Sequence, residues 1–258
     1  MIEKLRQNNI ISETFQSEFQ KQIYLIKSEL LSLRLNWKWS LLIVLVSPLS
    51  VLFFLYLLMG ENNNNYMPYI VTGNIVMSLV TGTMLTLGQE LGLLKQIRGF
   101  DYYAVLPIRK IYLIIAYLVR ATLTTIPSIL VLMFIGKYIL KLPIEFHVSF
   151  IVIVLLSGIS LSALGAFIGM YSKDSEQASI FTQVIQPLIV YCAPVFVPLE
   201  QMPQIIKYIS YMIPTTHVAN ALRSSFNGQF DWKSIGILVI FSIVSIILVE
   251  FKMDWRQK

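Results

Sequence analysis

The sequence predicts an all-α integral membrane protein with six transmembrane helices, an N-terminal amphipathic interfacial helix and an outer re-entrant hairpin before the last span. Three observations lead there: the composition, the long apolar runs and the distribution of Lys and Arg. The 258 residues are 56% hydrophobic and 13% charged, and the mean hydropathy is +0.69. A soluble domain carries about 25% charged residues, so a bilayer is the solvent that suits this chain.

The first 38 residues form a cytoplasmic segment that contains the predicted interfacial helix. Apolar residues recur there at steps of three and four, with Lys and Arg among the remaining positions: Phe15, Phe19, Ile23, Ile26, Leu30, Leu33 and Trp37. Such a stripe favours a helix that lies on an anionic membrane surface. The segment does not resemble a cleaved signal, because it has no early apolar block.

Six segments are apolar enough for the roughly 20 residues that a spanning helix needs. They are 39–59, 67–87, 111–135, 149–170, 178–197 and 235–251, which together make a transmembrane domain over 39–251. The last is the weakest of the six, since its charge-free core is short. Pro48, Pro127 and Pro187 lie inside spans, where neighbouring helices tolerate kinks.

The distribution of Lys and Arg predicts the orientation. With the N-terminus inside, fourteen of the twenty Lys and Arg residues face the cytoplasm. Cytoplasmic loops carry this excess in membrane proteins, so both termini, including the tail 252–258, are predicted to be cytoplasmic. The bias also accounts for the basic pI near 9.3 without a nucleic-acid partner. The segment 88–110 then becomes the longest cytoplasmic loop.

The segment 198–233 falls outside and is punctuated by prolines. Its apolar piece, IIKYISYMI at 205–213, is too short to span. A re-entrant or surface helix is the prediction for this outer hairpin.

Small residues line the fourth span in rows of the small-xxx-small type. Gly165 and Gly169 form one such pair, and Gly158, Ser162 and Ala166 form another row. Such rows allow helix backbones to approach closely in lipid. Packing within the chain is favoured here over a contact between two chains.

Catalytic and metal chemistry find little support in the sequence. His147 and His217 are far apart, are predicted to be solvated and have no second ligand at helical spacing. There is no GxxxxGK[ST] phosphate loop, so no ATP site of that kind is expected on this chain. The single cysteine, Cys192, is most simply a packing residue. No cofactor or metal is expected.

Arg120 is the clear intramembrane charge. It lies about 14 Å along its helix from Ile111, near the middle of the layer. An unpaired arginine there is costly, so we expect it to have a structural partner. A direct role in substrate passage and snorkelling to the surface are the alternatives.

The loop GQELGLLKQIRGFDYYAVLPIRK (88–110) is longer than a connector between antiparallel spans needs to be. Leu91, Leu94, Ile97, Phe100, Tyr103 and Leu106 recur in it at steps of three, which favours an amphipathic helix pressed on the membrane or a partner. A docking element is therefore favoured over a solvated connector.

Three stretches together resemble the permease subunit of type-2 ABC exporters, over essentially the whole chain. They are the 88–110 loop with Glu90 near its start, the turn YSKDSEQAS (171–179), and PVFVPLEQMPQIIKYISYMIPTTHVANALR (194–223). Their order and spacing carry the resemblance rather than any single motif. Ala193-Pro194 departs from the Ser-Gly pair of many members.

The resemblance implies two permease subunits, identical or related, that form the substrate passage. The chain is rich in Lys, Ile and Asn, which is typical of an AT-rich bacterial genome, so we expect it in the cell membrane of a bacterium. It also implies two separate ABC ATPase subunits that bind ATP and push on the loop. The coupling residues would be Glu90, Lys95, Arg98, Asp101, Lys173 and Glu176. The cargo would be a drug, an antimicrobial peptide, a lipid or a glycan.

Two other classes of function compete with this one. A stand-alone secondary transporter or channel would need acidic groups at mid-span for ion coupling, and the sequence offers none there. A membrane enzyme would need clustered His, Asp or Glu near an interface. A neighbouring gene for an ATPase would favour the permease.

Overall fold

The structure is a computed structural model that describes residues 2–59, 66–106, 108, 110–144 and 147–252. Side chains are not described for 1–19, nor for 35, 36, 40, 43, 59, 110 and 252. Residues 60–65, between the first two predicted spans, and the tail 253–258 therefore lie outside the described residues, as do Pro107 and Arg109.

The described chain is helical from end to end. Ten α-helices follow one another: α1 Ile2–Met59, α2 Met67–Leu79, α3 Thr86–Gln96, α4 Gly99–Ala104, α5 Lys110–Phe134, α6 Val148–Tyr171, α7 Ser175–Tyr191, α8 Gln204–Tyr211, α9 Pro214–Phe226 and α10 Trp232–Lys252. A π-helical turn, Val80–Leu85, joins α2 to α3, another, Ile135–Ile139, extends α5, and Leu199–Gln201 is a 3₁₀ turn.

Two ends of the helix bundle can be defined from the contacts between its turns. At the charged end (residues 95–106 and 171–176) the turns after α3 and α6 meet, since the Ser175 N–H donates to Gln96 Oε1 at 3.3 Å. At the hairpin end (residues 66–72, 140–144, 147–149 and 192–232) the hydroxyls of Ser149 and Ser225 lie 2.9 Å apart. One cluster of buried apolar side chains fills the hairpin half of the bundle, and a second lies under the charged end.

Five described segments are helical, long and apolar enough to cross a membrane. They are Trp37–Leu58, Met67–Gln96, Ile111–Ile139, Val148–Tyr171 and Trp232–Phe251. Five of the six predicted spans therefore have counterparts of this kind. The second is longer than predicted, because the π-helical turn lets α2 and α3 continue as one 30-residue unit. The predicted span at 178–197 corresponds to α7, which has only 17 residues.

Helix α1 is continuous across the predicted boundary at residue 38. Of the predicted apolar stripe, Phe15 and Phe19 have no described side chains. Ile23 and Trp37 are about half exposed, whereas Glu29, which the pattern puts on the polar face, is only 7% exposed. Ile26, Leu30 and Leu33 of the stripe are half-buried. The face that α1 turns toward the bundle therefore overlaps the stripe and also includes Glu29, which a charge pair described below draws inward.

The glycines of α6 pack against this chain's own helices, as the sequence favoured. A Cβ on Gly165 would lie 2.7 Å from Met84 Cα, and one on Gly169 would lie 2.5 Å from the carbonyl oxygen of Gly88. Gly158 sits against the side chain of Thr122. Because α6 has no side chains at these points, the π-helical turn and α3 approach it at backbone distance, and α5 packs against it through Thr122.

The loop at 88–110 does not form the predicted amphipathic helix. Helix α3 continues the second span as far as Gln96, the chain turns at Arg98, and α4 begins at Gly99. Arg98 has a left-handed backbone with φ of 55°, which ends one helix and starts the next. A step of three does not match the 3.6-residue helical period, and Ile97 is accordingly exposed while Phe100 is buried.

Candidate functional site

A buried charge cluster joins three helices near the charged end. Arg120 on α5 forms an ion pair at 2.9 Å with Glu29 Oε2 of α1, and its second nitrogen pairs with Glu90 of α3. The side chains of Arg120 and Glu29 are 11% and 9% exposed, and that of Glu90 is 30% exposed. Arg120 thus has acidic partners, and the structure brings it together with Glu90, which the sequence assigned to coupling.

Further polar contacts surround the guanidinium. Its Nη1 donates to Ser32 Oγ at 3.2 Å, and its central carbon lies 4.9 Å from the ring centre of Tyr117. The Tyr103 hydroxyl donates to Glu29 Oε1 at 3.5 Å. Burial raises the pKa of the Glu29 carboxyl, and the Arg120 charge opposes that rise. The cluster therefore ties α1, α3, α4 and α5 to one another.

Lys95 bonds to the end of α6. Its Nζ donates to the carbonyl oxygens of Met170 at 3.1 Å and Ser172 at 2.7 Å. Carbonyls at a helix C-terminus have no partners within the helix, and a lysine near them is favourable. The ammonium thus fastens the 88–110 loop to the turn between α6 and α7.

The remaining predicted coupling residues are exposed at the charged end. We call the exposed residues of its turns the turn surface; it comprises Ile97, Arg98, Asp101, Tyr102, Val105, Lys173 and Glu176. Tyr102 and Val105 are 66% and 79% exposed. Large apolar side chains beside charges are typical of a surface that binds another protein.

The comparisons with known proteins identify a family for the chain. The family model for ABC-2 type transporters matches residues 21–227, which includes the charge cluster, both turns and most of the hairpin end. The chain belongs to the ABC-2 type transporter family. It is a multi-pass membrane permease, a transport component that is not itself catalytic, and permeases of this family normally work with an ATPase subunit. A comparison with curated proteins gives no significant match.

Arg223 holds the hairpin end of the permease. No role for it was predicted beyond its place in the 194–223 stretch that carries the resemblance. Its Nη2 donates at 2.6 Å to the carbonyl oxygens of both Pro194 and Val195. Its Nε donates to Thr72 Oγ1 at 3.3 Å, and the guanidinium lies 4.1 Å from the ring centre of Tyr69. The sequence signal for this structural role was an arginine that stands alone in a segment rich in small residues.

His217 on α9 was expected to be solvated, and that expectation is wrong. It is 5% exposed, and its Nε2 lies 3.1 Å from the carbonyl oxygen of Tyr211. The reason is that α9 packs inside the bundle. There the His217 ring contacts the Phe241 ring of α10, with ring centres 6.4 Å apart. A buried ring bonded to the backbone has a structural role.

An open cavity lies beside the charge cluster of the permease. Its volume is about 630 Å³, and α1, α3, α5 and α7 line it. Its lining runs from Ser32 to Val44 along α1, and it includes Glu90, Thr124 and Ser179 from the other three helices. Twelve residues of α-helix separate Ser32 from Val44, so the cavity extends over roughly 18 Å. We call it the side cavity.

Proposed function

We propose that the chain is the permease subunit of an ATP-driven ABC exporter. Two copies, or one copy and a related chain, form the substrate passage, and two ABC ATPase subunits bind beneath them. ATP is bound and hydrolysed on those partners, with no cofactor on this chain. The ATPase subunits contact the turn surface, with Arg98 and Asp101 near its centre and Lys173 and Glu176 at its edge.

The observation that carries this proposal is the continuous chain of contacts from the turn surface to the spans. Lys95 joins the loop to the C-terminal end of α6, and Gln96 joins it to the start of α7, through 2.7–3.3 Å hydrogen bonds. Glu90, one turn and a half before Gln96, is paired with Arg120 in the third span. A push on the turn surface is thus delivered to α3, α5, α6 and α7 together, because packed helices move as rigid elements.

Six crossings with both termini in the cytoplasm suit this proposal best. The contacts of α7 support a sixth crossing, because it begins beside Gln96 at the charged end and its Ile189 carbonyl accepts from Thr215 at the hairpin end. Its 17 residues extend about 26 Å, close to the roughly 30 Å layer. The segments 1–38 and 252–258 are then cytoplasmic, and 39–251 is the membrane domain.

We further propose that residues 198–233 form the outer re-entrant hairpin. The contact of His217 with Phe241 supports it, since Phe241 lies nine residues, or about 14 Å, inside α10 from Trp232. Ser225, at the other end of α9, contacts Ser149 at the start of α6. Helix α9 thus begins within the layer and ends on the side where α6 begins.

The direction and the cargo follow the family resemblance. We propose export across a bacterial cell membrane of a drug, an antimicrobial peptide, a lipid or a glycan. No described contact favours the stand-alone transporter, and transport that persists in proteoliposomes without any ATPase would establish it instead.

The test begins with a search of the neighbouring genes for an ABC ATPase, which is then coexpressed with this chain. The purified permease is expected to retain that ATPase, and Arg98→Glu is expected to abolish ATP-dependent transport by reversing a charge on the turn surface. Lys233→Glu is the matched control, an exposed charge reversal at the hairpin end that keeps transport. Normal transport by Arg98→Glu, with ATPase still bound, contradicts the docking assignment.

A further inference from the structure

The side cavity has a size that fits a small molecule. Ligand pockets commonly enclose roughly 300–1,000 Å³, and this cavity encloses about 630 Å³. Its lining combines charged and polar side chains with apolar ones. Gln89, Glu90 and Arg120 supply the charged and polar part. Leu33, Val44, Leu85 and Leu93 supply apolar surface beside it.

The exposed charge in the cavity is negative. Glu90 and Arg120 are the charged groups among its described lining residues, and Glu29 stands behind Arg120. With all three ionised, two carboxylates against one guanidinium leave one negative charge. The carboxylate also offers more surface, because Glu90 is 30% exposed and Arg120 is 11% exposed.

Arg120 is poorly placed to bind an anion. Both of its terminal nitrogens are already engaged with carboxylates, one of them also with Ser32. An anionic head group would have to displace a carboxylate and would meet the second one. A cation meets the exposed oxygens of Glu90 without breaking the pair, and it neutralises the excess charge.

We propose that the side cavity binds a cationic amphiphile, a monovalent organic cation with an apolar body. Its charge lies at Glu90, its apolar body packs against Leu85 and Val44, and Gln89 and Thr124 accept or donate hydrogen bonds at its sides. This inference rests on the proposed function, for which it names the class of substrate. The cavity reaches from the level of Ser32 into the first span, so an amphiphile enters it from the membrane surface.

The experiment uses the full-length permease in phosphatidylcholine nanodiscs without any ATPase, at about pH 8, well above the ordinary carboxyl pKa. Binding of tetraphenylphosphonium is compared with binding of tetraphenylborate, an anion of nearly the same size and shape. Empty discs correct for partition into lipid. We expect the phosphonium to bind at least about tenfold tighter than the borate, since opposite charges at close range give that much or more.

Two variants and a control locate the site. Glu90→Gln is expected to abolish the preference for the cation, whereas Glu250→Gln, an exposed acid outside the cavity lining, keeps it. Ser179→Phe fills the cavity without touching the charge cluster and is expected to weaken phosphonium binding about tenfold.

Equal binding of the two ions by the wild type overturns the proposal, and so does a cation preference that survives Glu90→Gln. If Glu90→Gln does not fold, Ser179→Phe still decides, because unchanged phosphonium binding in that variant also overturns it. If the binding test fails, the purified permease is still expected to retain the ATPase. If the permease assignment fails, that retention is lost, so the two failures are distinguishable.

Discussion

Replacing Arg120 with leucine leaves two buried carboxylates without their cation. Glu29, at 9% exposed, loses a 2.9 Å ion pair, and breaking a buried pair from one side costs about 3–5 kcal/mol. Glu90 is more exposed and adds about 1 kcal/mol at most. For a chain of this size about 1 kcal/mol shifts the melting temperature by roughly 2–4 °C. Arg120→Leu is therefore expected to melt roughly 10 °C or more below the wild type.

The assay is thermal unfolding of the detergent-purified permease, followed by fluorescence-detected gel filtration, with export measured at matched protein levels. Arg120→Leu combined with Glu29→Gln and Glu90→Gln is the control, because removing every charge of a buried cluster is far less costly than removing one partner. It is expected to recover most of the lost melting temperature. An Arg120→Leu variant that melts and exports like the wild type would refute the pairing and make Arg120 a snorkelling residue.

Three further predictions concern pH, packing and the hairpin end. Burial raises the pKa of Glu29 above its ordinary 4.5, so the stability that its protonated form contributes is present below pH 4.5 and is lost as pH rises through the raised pKa. The difference between the melting temperatures of the wild type and of Glu29→Gln should therefore decrease as the pH rises. A difference that increases or stays constant contradicts this prediction. Gly165→Ala should lower the folded yield, since its Cβ would meet the Met84 backbone, whereas Gly236→Ala, with nothing within 4 Å, should leave it unchanged; equal yields contradict the close approach. Arg223→Met removes the 2.6 Å hydrogen bonds that two carbonyl oxygens accept in the wild type. It should lower the free energy of unfolding by about 2–4 kcal/mol, as measured by thermal unfolding. An unchanged melting temperature would show that the guanidinium does not fasten the hairpin end.

The helical class and most spans could be predicted from the sequence because the bilayer imposes them. A run of about 20 apolar residues has few alternatives to a spanning helix, and five such runs are helices of spanning length. The length of the span predicted at 178–197 was harder to predict, because the apolar run continues past Tyr191, where α7 ends. Hydropathy alone does not show where a helix ends inside an apolar run.

The charge cluster could not be predicted as a set. The sequence singles out Arg120 because it is a charge within an apolar run, and it predicts a partner from the cost of burial. The sequence does not identify that partner, since Glu29 lies 91 positions earlier and is not part of the apolar stripe of α1. The π-helical turn at Val80–Leu85, which sets the register of Glu90, has no reliable sequence pattern.

The most direct test of the proposed coupling is to determine on which side of the membrane the turn surface lies. In a Cys192→Ser background, cysteines introduced as Arg98→Cys on the turn surface and Tyr208→Cys on α8 occupy exposed positions at opposite ends of the bundle. A membrane-impermeant maleimide applied to intact cells is predicted to label position 208 and to reach position 98 only after the membrane is opened. Labelling of position 98 in intact cells would place the turn surface away from ATP and contradict the proposed coupling.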